Sequence, residues 1–205
     1  MFVQLLTAMG VLAVLTVVPG PDMAVVTKRA VASGRQDGLR TVGGITAGLL
    51  VWGALTVVGL AAVLAASATA YTVVKLAGAA YLGFLGVQAL LQSRSGRSVT
   101  PVAGPAAPSG DPWRTGLVSN VLDPKIAIFY TGLLPTLAPS GLSPHLGMTL
   151  LVLIHTALTL VWLGGYVLVP ARARAFEKPA VRRAMDRVTG VVLIGFGVKV
   201  AASQP

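Results

Sequence analysis

The sequence contains no cysteine, which excludes disulfides, thiolate metal sites, haem attachment and dithiol electron relays. Two histidines and six acidic residues are too few for a His-rich metal centre, so neither a metal nor a cofactor is expected. Charge is scarce. Only 11% of the 205 residues are Asp, Glu, Lys or Arg, against about 25% in a soluble domain, and so few charges cannot coat a water-facing surface. There is no H-E-x-x-H, no Walker A and no G-x-S-x-G, which argues against ATP use within the chain and against the common hydrolase sites.

Apolar residues take the place of the missing charge: 55% of the chain is hydrophobic and the mean hydropathy is +0.81. A spanning helix needs about 20 apolar residues, and six stretches approach that, at 2–19, 42–65, 71–92, 115–137, 146–169 and 188–202. The first lacks the basic n-region and small-x-small cleavage site of a signal peptide and reads as a retained span. The last is short between Arg187 and Lys199, so both ends must snorkel. Residues 93–114, rich in Ser, Gly and Pro, read as a flexible linker. The expected fold is all-α and integral to the membrane, with residues 1–92 and 115–205 as two three-helix units.

The net charge of +10 is unevenly placed. Lys28, Arg29, Arg35 and Arg40 fall between spans 1 and 2. Arg94, Arg97 and Arg114 fall between spans 3 and 4. Arg172, Arg174, Lys178, Arg182, Arg183 and Arg187 fall between spans 5 and 6, while the 2–3 and 4–5 turns have none. The positive-inside rule then puts both termini outside. The basic loops read as contacts to anionic lipid, not to nucleic acid.

The two units resemble each other in order. Thr46-Ala47-x-x-Leu50-Val51-Trp52 matches Thr156-Ala157-x-x-Leu160-Val161-Trp162. Lys75-x-x-Gly78 with Gly83-Phe84 matches Arg187-x-x-Gly190 with Gly195-Phe196. Gly20-Pro21-Asp22 lines up with Asp123-Pro124-Lys125. Three spans per unit invert the second relative to the first, an architecture of secondary transporters whose site lies where the halves meet. Gly43, Gly44, Gly164 and Gly165 are expected at close helix contacts.

The alignment brings out the few charges inside spans. Pro19, Gly20 and Pro21 should break span 1 and let a helix restart near Asp22, with its positive end open to a carboxylate. Asp123 lies nine residues beyond Arg114, roughly 14 Å along a helix. Pro124 there should free the Asn120 carbonyl. Acids and bases at depth are costly and mark function. If the breaks meet, Asp22, Asp123 and Lys125 share a cavity one positive charge short, which a proton or a substrate ammonium would supply in turn. Each segment also has a plainer reading: a helix end at the cytoplasmic surface for Pro21, an internal ion pair for Asp123 and Lys125, snorkelling anchors for Lys75, Arg187 and Lys199, and packing for His155, Trp52 and Trp162.

At these residues the sequence resembles the LysE/RhtB amino-acid exporters of bacteria. The resemblance rests on Gly20-Pro21-Asp22, on Gly78-x-x-Tyr81-Leu82, and on Gly116-x-x-x-Asn120-x-x-Asp123-Pro124-Lys125 followed by Phe129 and Leu134-Pro135. The departure is Asp123 where the family has Asn, which adds a negative charge. The resemblance implies six spans in the bacterial cell membrane, a homodimer, and efflux of amino acids or their derivatives driven by protons. From the residues themselves, Asp22 and Asp123 are the expected proton or ammonium ligands, Lys125 a counter-charge or carboxylate contact, and Asn120 a polar substrate contact. Gly20, Pro21 and Pro124 open the backbone. The competing expectations are efflux of a cation or other small metabolite, a membrane enzyme using the same acids and His155, and a structural subunit. An enzyme would need a nucleophile or metal constellation that the sequence lacks, and a structural subunit leaves the two charged breaks without a purpose.

Overall fold

A computed structural model describes residues 2–17, 20–66, 68–95, 110–169 and 179–202. All described secondary structure is helical. Helices α1 (Phe2–Val17) and α2 (Pro21–Ser33) meet at a 48° bend. Then follow α3 (Arg35–Ala66), α4 (Ala68–Ser95), α5 (Pro112–Val121) and α6 (Pro124–Ile128). A π-helical turn (Phe129–Leu133) and a 3-10 turn (Leu134–Leu137) continue α6, and α7 (Pro144–Leu168) and α8 (Pro179–Ala202) are the last described helices.

Among the described residues, two stretches are long and apolar enough to cross a membrane, Arg35–Gly59 and Pro144–Leu168, and the bent pair α1–α2 makes a third if taken as one span. Val58, Phe84, Val161 and Val191 are each more than half exposed. Such an apolar outer surface suits lipid and not water. The expected continuous span at 115–137 is instead divided among four helical pieces. The expected last span at 188–202 belongs to a longer helix that begins at Pro179, because basic residues that end an apolar run do not end a helix. The linker is shorter than its composition suggested: Ser93–Ser95 finish α4 and Pro112–Arg114 start α5. Its centre, 96–109, and the basic stretch 171–178 lie outside the described residues.

Capping explains the sharp start of α5. Asp111 accepts the Arg114 N–H at 3.0 Å, with Pro112 following as the first helical residue. That bond also holds the Asp111 carboxyl below the usual carboxylate range. Ser143 caps α7 in the same way, through the Leu146 N–H.

Lipid tails are as apolar as Leu, so helices here associate through close packing and small residues. Antiparallel α4 and α8 cross where Gly86 and Gly190 each face the other's carbonyl, 2.8 and 2.7 Å from where a Cβ would stand. At the α3–α5 crossing, Gly44 meets the Trp113 carbonyl and Gly116 the Thr41 carbonyl, and Gly48 lies over the Asn120 side chain. Gly43 meets only the edge of the Trp113 ring, and a Cβ on Gly164 would touch nothing within 4 Å. Among the described residues, the close contact expected at Gly164 is therefore not seen, although Gly164 is buried.

Two buried clusters result. One centres on Leu12, Leu82, Phe129, Tyr130 and Leu151, the other on Val26, Val42, Ile45, Leu163 and Val167. Trp52 packs on the first and Trp162 on the second.

Candidate functional site

The chain leaves α1 through Gly20, whose extended backbone (φ −148°, ψ −170°) caps α2 without a side chain. Pro21 opens α2 at a position whose N–H has no intrahelical partner to lose, and Asp22 occupies the first turn. Its carboxylate is met from α5. Ser119 Oγ donates to Oδ1 at 3.0 Å and Asn120 Nδ2 to Oδ2 at 2.7 Å. Nothing in the sequence singled out Ser119. The signal was its place beside Asn120, just ahead of a broken span.

The second break is built alike but closes differently. Asp123 caps α6, with Oδ1 accepting the Lys125 N–H at 2.8 Å, and Pro124 opens that helix. The Asn120 carbonyl, expected to be freed by Pro124, accepts the Asp123 N–H at 3.1 Å. This happens because Leu122 (φ −90°, ψ 2°) already turns the chain out of the helix. Asp123 is buried, and its Oδ2 has no partner, as is true of Asn120 Oδ1.

Between the two apolar clusters lies a cavity of about 30 Å³. Asp22, Asn120, Lys125, His155 and Thr159 are among its polar lining, and Leu15, Leu49 and Leu163 among its apolar walls. Asp22 and Lys125 form no ion pair with each other or with any other described residue. Asp123 stands outside the lining, yet near enough to act on Asp22 electrostatically. The expected residues are thus divided: Asp22, Asn120, Lys125 and Gly20 reach the cavity, while Asp123, Pro21 and Pro124 shape the breaks around it. Neither Trp52 nor Trp162 lines it. Arg187 is exposed on α8, and the side chains of Lys75 and Lys199 lie outside what is described.

His155 joins the cavity from the middle of α7. Its Nδ1 lies 3.1 Å from Tyr130 Oη, and the ring packs against both Phe129 and Tyr130. The described residues include no cluster of three or more His, Asp or Glu side chains suited to a metal. Chemically, the arrangement presents a carboxylate and an ammonium to one small volume, neither of them in an ion pair with a described residue.

The family described as LysE type translocator matches residues 13–204. An uncharacterised membrane protein of Bacillus subtilis (strain 168) is 27% identical over 98% of this chain and 99% of its own. The threonine efflux protein of Escherichia coli (strain K12) is 26% identical over 91% of both chains. The leucine efflux protein of Salmonella choleraesuis (strain SC-B67) is 24% identical over 93% of this chain and 91% of its own. No solved structure matches.

Proposed function

The chain belongs to the family of LysE type translocators, and from that membership we propose that it exports amino acids or their close derivatives from the cytoplasm in exchange for protons. It is a membrane protein and a transporter, not an enzyme. The observation that carries the substrate class is the pair Asp22 and Lys125, which line one cavity without pairing with each other. Opposite charges kept apart across a small volume complement a zwitterion, whose ammonium meets Asp22 and whose carboxylate meets Lys125. Asn120 holds Asp22 in place, and a proton on Asp22 replaces the substrate ammonium on the return step.

Several features support two inverted halves. Gly20 and Asp123, aligned in the repeat, are both N-caps of restarted helices. Pro21 and Pro124 both open them, and Asp22 and Lys125 both follow as second residues. Leu49 and Thr159 are likewise aligned, and both line the cavity. On α4 and α8, the contacts of Gly86 with Gly190 and of Gly197 with Ala79 bracket Leu82 and Ile194, which are equivalent positions. A helix pair related by a two-fold axis must cross at equivalent positions.

A cavity of about 30 Å³ holds about two waters, less than any amino acid, so loading requires the halves to part. The segment suited to move is α2, jointed at Gly20 and at Gly34, whose φ of +88° favours glycine.

Purified protein in liposomes preloaded with single labelled amino acids tests the proposal. Release of at least one amino acid that accelerates several-fold when a proton gradient is imposed, and slows when it is collapsed, is the expected result. If no amino acid moves, the proposed function fails.

The six-span topology is proposed on the charge distribution and on two contacts. Ser140 in the 4–5 turn meets Gln4 near the start of α1, and Arg29 on α2 donates to Gly110 at the end of the 3–4 linker at 2.8 Å. Each contact joins segments assigned to the same side. The absence of native cysteine makes single-cysteine mapping clean. A membrane-impermeant thiol reagent should label Thr69→Cys and Ser140→Cys on intact cells, and Arg35→Cys only after lysis. The opposite pattern would invert the topology.

A further inference from the structure

The charged end of the cavity accounts for the ammonium and carboxylate that every amino acid shares. It leaves unexplained a second set of polar atoms on α7. His155 and Thr159 lie one turn apart on the same face and both line the cavity. Burying an imidazole among apolar side chains is costly unless its nitrogens are used. Tyr130 engages Nδ1 alone, and among the described residues nothing engages Nε2.

Thr159 also keeps its hydroxyl unused, as buried Thr56 does away from the cavity. Thr7, Thr16, Thr27, Thr41, Thr131 and Thr156 each return the hydroxyl to the carbonyl one turn back, at 2.7–2.9 Å. Among the described residues the Thr159 hydroxyl makes no such bond, although the residue is buried. Two neighbouring polar groups on one wall thus keep hydrogen-bonding capacity in reserve.

The ring is also deliberately held. Phe129 and Tyr130, both fully buried, sit at the start of the π-helical turn. Such turns recur at functional positions, and here the turn sets both rings against the imidazole, with centroids 5.8 and 5.7 Å away. A residue needed only to fill space requires no such support.

We infer that His155 and Thr159 form a side-chain subsite that selects substrates by a hydrogen-bonding group on the amino-acid side chain, with Tyr130 positioning the imidazole. The inference rests on the amino-acid export reading and adds the residues that set specificity. With Asp22 and Lys125 gripping the zwitterionic end, the substrate side chain extends along α7. There the imidazole Nε2 and the Thr159 hydroxyl meet a hydroxyl or comparable polar group. An apolar side chain of the same shape leaves both unpaired.

Isosteric pairs supply the test, because threonine differs from valine only by a hydroxyl in place of a methyl. In preloaded liposomes the wild-type protein should prefer threonine to valine, and serine to alanine, by about tenfold or more. Thr159→Val, itself isosteric, should lower that preference by about tenfold, close to the worth of one hydrogen bond, through a raised KM for threonine with valine unaffected. His155→Leu should lower it at least as far. His155→Gln, which keeps a polar group there, should restore part of it, and Tyr130→Phe should weaken it with both contact residues intact. If Thr159→Val slows threonine and valine equally, α7 serves packing alone and the subsite is overturned. A wild-type protein that moves both substrates equally overturns the subsite and leaves amino-acid export standing, whereas one that moves no amino acid overturns both.

Discussion

Asp22→Asn is expected to reduce amino-acid export about a hundredfold, to near background, while the protein still inserts and folds. Among the described residues Asp22 is the one acidic group that lines the cavity, so its replacement removes the charge that receives the substrate ammonium. A hydrogen bond to a charged group is worth about 1.5–3 kcal/mol, and at about 1.4 kcal/mol per tenfold that alone approaches a hundredfold. The amide leaves the Lys125 charge without its opposite across the cavity and carries no proton on the return step, so coupling fails as well. The fold should survive. Asn is isosteric, its oxygen can still accept from Ser119 or Asn120, and Gly20 and Pro21 continue to set the break. Asp22→Glu keeps the charge but lengthens the side chain within a tight pair of hydrogen bonds, and should retain partial export.

Asp123→Asn is the matching control. Asn caps a helix as well as Asp does, so the Lys125 N–H keeps its acceptor, and Asp123 does not line the cavity. Export within about threefold of wild type is expected, with Asp123→Ala losing about 1 kcal/mol of stability through the cap. Initial efflux rates, paired with thermal melts in detergent, separate the two acids. Wild-type rates for Asp22→Asn would remove it from the mechanism, and collapse of Asp123→Asn would restore Asp123 to a direct role.

The backbone of the site was legible because Pro and Gly act locally. Pro21 and Pro124 each open a helix, and the residue before each is its cap, as the pattern around Gly20 and Asp123 implied. What those breaks hold was less legible. The bond between Asn120 and Asp22 joins residues 98 positions apart and exists only because α3 and α5 cross closely enough to fix the height of Asn120. The fate of the Asn120 carbonyl depended on Leu122 leaving the helix early, which no residue type there announces. His155 looked like any packing histidine, because its partner sits on a π-helical turn that a 3.6-residue period does not reveal. Hydropathy likewise measures the thickness a segment can cross, not where its helix starts, so α8 reaches back to Pro179 through residues that looked like loop. Gly44 and Gly164 sit in similar Gly-Gly pairs, yet Gly44 faces a neighbouring backbone and Gly164 does not. A partner helix decides that, and the partner is not local.

The Gly44 contact also sets the largest expected effect on stability. Gly44→Ala would place a methyl group against the Trp113 carbonyl and 2.8 Å from the Leu117 nitrogen, and Gly116→Ala against the Thr41 carbonyl and 3.1 Å from the Ile45 nitrogen. Both obstacles are backbone, so no side chain can rotate aside and α3 and α5 must separate. Overpacking of this kind costs about 1–3 kcal/mol, and each variant should melt several degrees below wild type in detergent. Export should fall further than stability, because the same crossing carries Ser119 and Asn120 to Asp22. Gly48→Ala separates the two effects. There the new methyl group meets the Asn120 amide, 2.6 Å from its Oδ1, and a side chain can yield. Its melting point should stay nearer to wild type while export drops, because Asn120 must release Asp22 to make room. Gly164→Ala and Gly10→Ala meet nothing within 4 Å and gain up to about 1 kcal/mol of helix propensity, so both should melt at or above wild type. A Gly44→Ala protein as stable and as active as wild type would mean that α3 and α5 do not cross at these residues. The route by which Asn120 reaches Asp22 would then have to be drawn again.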